Sequence, residues 1–244
     1  MGKLLQAILD FAYPRMCPLC GRTSDRDGRF ICWNCMSMLD ICSAETTCCT
    51  LCGKIPDGEV KPPFTCPVCA EHKPAFDFAR SALSYGGDTR GLIHDFKYNR
   101  HIWYQRDLGD ILEACARSCF DCREIDCVIP VPLHAAKFIR RSYNQSAMLA
   151  SELGGRLGIP CGREILKRLR DTPTQTHLGI EGRRKNVSGV FSVSDPGLVT
   201  ARTILVVDDV MTTGATLDEI AATLKKSGAW RVYGLTLARA PMGR

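Results

Sequence analysis

The chain has 244 residues, 45% hydrophobic and 24% charged, with 32 Lys and Arg against 26 Asp and Glu for a formal charge of +6. This balance excludes a disordered or fibrous chain and leaves room for one ordinary core plus a smaller module. No run of about 18 uninterrupted apolar residues occurs, so no membrane insertion through an ordinary spanning helix is expected.

In chain order, the first feature is a helical spacing of apolar residues, Leu4, Leu5, Ile8, Leu9 and Ala12, interrupted by Gln6 and Asp10. With no small-x-small cleavage site behind it, the run reads as a helix rather than a secretory signal. A cytoplasmic protein is the expectation, where disulfide pairing is the less favoured fate of clustered cysteines.

Ten of the 15 cysteines lie within residues 1–69, and the whole positive excess lies after residue 75. We therefore divide the chain into a cysteine-rich module, 1–75, and a second unit, 76–244. The module carries four CxxC pairs: Cys17 and Cys20, Cys32 and Cys35, Cys49 and Cys52, Cys66 and Cys69. Two intervening residues let both thiolates of a tight turn face one ion, and two pairs complete a tetrahedral shell. The short intervals within 17–35 and 49–69 favour sequential pairing into two sites. Zn²⁺ fits four thiolates in closed structural sites, with an iron–sulfur cluster or disulfides as the alternatives. A segment with few aliphatic residues needs the metal for folding rather than for catalysis. Cys42 and Cys48 fall outside the pairs and read as small buried or free thiols.

From residue 76 onward the pattern alternates strand and helix. Residues 96–106 interleave Phe96, Tyr98, Trp103 and Tyr104 with Lys97, Arg100 and Arg106. Such a segment either stacks unpaired bases and follows phosphates or, with a helix beginning near Trp103, turns its aromatics to the core, which we prefer. Residues 127–131 read as a short buried strand, 143–157 as an amphipathic helix, 203–207 as a continuous apolar strand, 216–227 as a helix and 232–238 as a closing strand. Unbroken apolar strands in strand–helix–strand order predict an α/β fold, a parallel sheet with helices on both faces. Residues 137–185 hold 11 basic and four acidic side chains, a surface for phosphate-bearing partners or a well-solvated face. His72, His94, His101 and His134 show no metal-ligand spacing.

The sharpest signal is Ile204-Leu-Val-Val-Asp208-Asp209-Val-Met-Thr212-Thr213-Gly214-Ala215-Thr216. A buried strand delivers two carboxylates to its carboxyl end, and a loop of threonines and one glycine then opens a helix. Open α/β sheets bind ligands at that place. Amides at a helix start, a close-approaching Gly214 and threonine hydroxyls form a cradle for phosphate. The two aspartates suit paired ribose hydroxyls or a hydrated divalent cation, so the pair of features describes a ribose 5-phosphate. Neither GxxxxGK[ST] nor GxGxxG is present.

Residues 204–216 resemble the phosphoribosyl pyrophosphate (PRPP) motif of type I phosphoribosyltransferases. The wider chain resembles the competence protein F (ComF) family in its four CxxC pairs and in Tyr85, Arg90–Tyr98, Ile129–His134, Arg140–Gln145, Arg168–Thr172, Gln175 and Arg183–Phe191, with Ser142 standing where many members carry glycine. The resemblance implies a double zinc ribbon followed by a phosphoribosyltransferase unit that binds PRPP with Mg²⁺. Asp208 and Asp209 would hold the ribose hydroxyls, and Thr212, Thr213, Gly214, Ala215 and Thr216 the 5-phosphate. The loop after 127–131 would face pyrophosphate, with Lys137, Arg140 and Arg141 as candidate ligands or as solvated charges at a helix start. Arg168, Arg170, Thr172, Gln175 and His177 form a polar stretch that either closes over the site or stays exposed. Two readings stand: phosphoribosyl transfer to an unnamed acceptor, or a non-catalytic DNA-uptake protein that binds single-stranded DNA beside competence-machinery proteins, with PRPP as regulator.

Overall fold

A computed structural model describes residues 13–171, 182 and 187–240, with the Arg140 side chain outside that description. The expected helix at residues 4–12, the loop residues Thr172, Gln175 and His177, and Arg183 and Asn186 all lie outside the described residues.

The strands are β1 (Phe78–Ser84), β2 (Cys127–Pro130), β3 (Leu166–Arg168), β4 (Phe191–Val193), β5 (Thr203–Met211) and β6 (Arg231–Arg239). Four of them form a sheet in the order β1-β6-β5-β2, every neighbour parallel, while β3 and β4 make a separate antiparallel ribbon. The helices are α1 (Trp33–Ser37), α2 (Pro67–Glu71), α3 (Gly87–Tyr98), α4 (Gln105–Cys119), α5 (Ala135–Arg141), α6 (Gln145–Leu157) and α7 (Ala215–Lys226). Among the described residues none is long and apolar enough to cross a membrane.

The unbroken apolar run of β5 has a physical cause, because a parallel strand covered on both faces has no solvated side. Leu205 and Val207 pack with Leu92 and Phe96 of α3, Leu108 and Leu112 of α4, and Leu149 and Leu153 of α6. Ile204 and Val206 face the opposite layer, against Leu217, Ile220 and Leu224 of α7. The strand runs past the expected end at residue 207 because β6 continues to Arg239 and supplies ladder partners for Asp208, Val210 and Met211. Helix α6 begins at Gln145 rather than 143, where the Asn144 side chain accepts the Ser146 amide at 3.0 Å, an N-cap. Strand β1 escaped the sequence pattern because Ser81 interrupts it; its buried hydroxyl is satisfied by Thr236 at 2.7 Å.

The preference for a core role of the aromatics at 96–106 needs correction for two of the four. Phe96 and Tyr104 are buried, but Tyr98 and Trp103 are exposed at 54% and 48%. A single 3₁₀ turn at Ile102–Tyr104 sends neighbouring side chains in different directions, and Trp103 stacks on His101 at 4.6 Å. Ser142 closes α5 in the left-handed conformation at φ 68°, a position that favours glycine.

The cysteine-rich segment packs into both layers: Cys17, Cys32 and Cys35 join the α4 side, whereas Cys49, Cys52, Cys66 and Cys69 join the α7 side. Its main tie is Asp107 of α4, fully buried, which accepts the Phe30 and Ile31 amides at 2.9 and 3.1 Å and the Arg26 guanidinium at 3.1 Å. Arg26 also reaches Asp110, which Arg29 grips at 2.6 and 3.1 Å. Burial pushes the Asp107 carboxyl up, opposed by these donors and the Arg26 charge. Substituting Asp107→Ala leaves two amides without their acceptor and takes one of two carboxylates from Arg26, which keeps Asp110, so urea denaturation should read a loss of about 3 kcal/mol. A loss under about 1 kcal/mol would show that the tie contributes little.

Candidate functional site

The end of β5 gathers the two carboxylates between two helices. Ser146, at the start of α6, donates its hydroxyl to Asp208 Oδ1 at 2.8 Å, and the Asp209 amide donates to the same oxygen at 2.9 Å. Lys97, in the last turn of α3, places Nζ 2.9 Å from Asp209 Oδ1. Burial and the neighbouring Asp209 charge raise the Asp208 carboxyl to about 7, against the pull of Ser146, the Asp209 amide and Lys97. Burial draws Lys97 down, but the charges of Asp209 and Asp208 more than compensate, and its net shift is upward. Neither Ser146 nor Lys97 was read from sequence as a site residue. The signal for Ser146 was its place two residues after the N-cap Asn144 of the helix that follows α5, and Lys97 was submerged in the aromatic–cationic run.

Thr212, Thr213 and Gly214 form the turn between β5 and α7. Gly214 sits at φ 85°, so the backbone favours glycine, and a Cβ there would come 2.7 Å from the Met211 methyl, which would have to move aside. The Thr213 hydroxyl accepts the Ala215 amide at 3.4 Å. Ala215 and Gly214 are buried, while Thr212, Thr213 and Thr216 keep partial exposure. The acids of the first turn of α7 hold flanking segments: Asp218 accepts the Ala75 amide and Glu219 the Gly189 amide, each at 2.7 Å.

The basic candidates divide. Arg168 lies within electrostatic reach of Asp208, over the Phe191 ring at 5.4 Å, and burial lowers its pKa against the Asp208 and Asp171 charges. Lys137 pairs with Asp171 at 3.3 Å. Arg141 stacks on Tyr98 at 4.9 Å and donates to its hydroxyl at 3.2 Å, leaving a buried Nε without a partner among the described residues. Lys97, Tyr98, Arg100, Arg141 and Tyr143 line one cavity of about 390 Å³. Arg170 turns away, donating to the Ser188 carbonyl at 2.8 Å. Arg140 lies in α5 with its side chain outside the description.

The expected cysteine groupings form in space. Cys17, Cys20, Cys32 and Cys35 bring their sulfurs within 4.8 Å of one another, as do Cys49, Cys52, Cys66 and Cys69. The Cys20–Cys32 and Cys52–Cys66 separations are 3.8 and 3.7 Å. Sulfurs at about 2.3 Å from a tetrahedral ion stand roughly 3.8 Å apart, so both groups can hold zinc.

Comparison with known proteins bears on this arrangement. A family profile described as phosphoribosyl transferase domain matches residues 139–244. Competence protein F of Haemophilus influenzae is 34% identical over 179 residues, covering 72% of this chain and 78% of that one. The chain belongs to the competence protein F family. Within this family's reach, the DNA utilization protein YhgH of Salmonella typhi is 30% identical over 224 residues, 86% of this chain and 96% of that one. Among solved structures, a purine phosphoribosyltransferase from Pyrococcus horikoshii Ot3 is 22% identical over 56% of this chain and 75% of that one, with a TM-score of 0.32. The family membership accords with an α/β chain carrying a cysteine-rich N-terminal segment.

The Asp208 carboxyl gives the ligand-free site a pH signature. Its folded pKa, about 7, stands above the ordinary value of 3.8, so the folded state holds the proton more tightly and loses stability as pH rises between the two. Urea denaturation of wild type should weaken by about 2 kcal/mol more than that of Asp208→Asn between pH 5 and pH 7.5. Parallel pH profiles would mean that Asp208 ionises as an ordinary carboxylate.

Proposed function

We propose that this protein binds PRPP with Mg²⁺ and transfers the phosphoribosyl group to an acceptor. The observation that carries the reading is the juxtaposition of Asp208 and Asp209 with a glycine-opened turn at the start of α7. Under it, the aspartates accept hydrogen bonds from the ribose hydroxyls, and the Thr212–Thr216 turn offers amides and hydroxyls to the 5-phosphate. Lys137, Arg140, Arg141 and Arg168 are the cations assigned to pyrophosphate, and the buried Nε of Arg141 supports a role for that side chain. Arg170 stays a candidate for the same role, with one of its nitrogens bonded to the Ser188 carbonyl.

The transfer breaks the bond between the anomeric carbon and pyrophosphate and forms one from that carbon to the acceptor, through an oxocarbenium-like centre. No side-chain nucleophile is needed. Mg²⁺ supplies charge neutralisation on the leaving pyrophosphate, and its oxygen preference fits the carboxylate donors beside it. Lys97 and Ser146 fix the two carboxylates so that they meet the diol already oriented.

Residues 1–75 are assigned as a double zinc-ribbon module with one Zn²⁺ in each four-cysteine group, and 76–244 as the PRPP-binding unit. Cysteines assigned to metal rather than to disulfides accord with a cytoplasmic setting.

A second reading, in which single-stranded DNA is the main ligand and PRPP a regulator, is favoured by the cavity of tyrosines and cations at Lys97, Tyr98, Arg100, Arg141 and Tyr143. Competence-machinery proteins are its natural partners. Incubating the protein with PRPP, Mg²⁺ and a panel of bases, and following pyrophosphate by phosphorus NMR, separates the two. Acceptor-dependent release is expected; PRPP binding without release, together with DNA affinity that falls steeply with salt and on Arg141→Ala, would replace the first reading by the second. The double variant Asp208→Asn, Asp209→Asn should weaken PRPP about 10- to 100-fold in calorimetry. Unchanged affinity would remove the site assignment.

A further inference from the structure

A third group of sulfurs lies outside both four-cysteine sets. Cys42, Cys115 and Cys119 place their thiols within 4.8 Å of one another, the same closeness found in the two CxxC groupings. None of the three belongs to the four CxxC pairs of the N-terminal module; Cys119 opens a further CxxC with Cys122, whose thiol turns instead to the Ala116 and Phe120 carbonyls. Cys115 and Cys119 stand one turn apart on the same face of α4. Cys42 arrives from a distant part of the chain, pinned by its amide to the Ala82 carbonyl of β1 at 2.9 Å. The Cys119 thiol also donates to the Cys42 carbonyl at 3.7 Å.

The connection after Cys42 then folds over the end of α4. Ala44 donates its amide to the Ser118 hydroxyl at 3.1 Å, and the Ser43 amide bonds the Thr46 hydroxyl at 2.9 Å. This turn brings Cys48 back beside Cys42 and within electrostatic reach of it. Three sulfurs from two segments thus converge, with Cys48 close by outside the group.

The chemistry of the set favours a cation over a cross-link. A disulfide consumes two sulfurs and would leave the others crowded beside it, whereas one ion engages all of them. The donors are entirely sulfur, which selects a soft or borderline ion such as zinc over magnesium or calcium. Arg80 lies within electrostatic reach of both Cys48 and Cys119 and can offset the negative charge of a thiolate shell. The same guanidinium donates to the Thr50 carbonyl at 3.2 Å, linking this group to the 49–69 set. A cavity of about 570 Å³ borders Cys48, Cys119 and Arg80, an access route for an ion to sulfurs that are otherwise buried.

We propose that Cys42, Cys115 and Cys119 form a third zinc site, with Cys48 drawn in from beside Cys42 as fourth ligand, and that it fastens the connection between the two ribbons to α4. Each thiol that ligates gives up its proton to solvent as the ion binds. The site is independent of PRPP and of any catalysis.

The experiment is metal stoichiometry on the full chain, purified under reducing conditions with zinc and freed of excess. Native mass spectrometry should find three zinc ions per chain, and Cys115→Ser with Cys119→Ser should leave two. Two ions in the wild type would overturn the proposal, as would a chain lighter by two hydrogens, the mark of a disulfide in place of the ion. Cadmium-113 NMR of the wild type tests the same point without a variant. Three thiolate-bound resonances are expected, and two would overturn the site even if the double variant failed to fold.

Discussion

Placing Asp208 beside Asp209 on one strand sets like charges next to each other where water is scarce. Such a pair is unfavourable unless donors or cations are supplied, and the elements around β5 supply them from one layer of the fold. Helix α3 must end where Lys97 reaches Asp209, and helix α6 must begin where Ser146 reaches Asp208. The compensation is incomplete, for Asp208 remains reluctant to ionise. Incomplete neutralisation suits the role proposed for Asp208, since a fully satisfied carboxylate has little left to offer hydroxyls or a cation.

Sequence periodicity made the sheet legible where strands are covered on both faces. Residues 203–207 have no polar interruption, and the α7 stripe of Leu217, Ile220 and Leu224 marks one face plainly. Strand β1 was illegible because its buried Ser81 depends on a hydroxyl partner 155 residues away, which no local pattern reveals. The carboxylates and the turn were legible because they are consecutive. Their supports, Lys97 and Ser146, are not, and only the fold joins them. Charge and position along the chain nominated Arg168 and Arg170 alike, and only the fold tells them apart, with Arg168 within electrostatic reach of Asp208 and Arg170 beside the Ser188 carbonyl.

The cysteines carry the same lesson about distance. CxxC spacing announces a ligand pair because two residues build one turn, so the groups at 17–35 and 49–69 could be assigned without coordinates. Cys42, Cys115 and Cys119 meet only because α4 crosses beside β1, and their spacing along the chain says nothing of it. The two CxxC groupings also flank the sheet on opposite sides, so the N-terminal segment completes both cores instead of hanging from one edge.

That wrapping sets a timetable for synthesis. Residues 26–31 emerge long before Asp107, and Cys52 waits for Arg239, 187 residues later, to bond its carbonyl. At translation rates of roughly 5–20 residues per second, the second contact is delayed by about 10–40 s. In the first part of that interval the nascent segment has no apolar layer to lie against, and metal is a partner it can engage without the rest of the chain. Zinc capture on the ribosome would then hold the ribbons in shape until the sheet arrives between them.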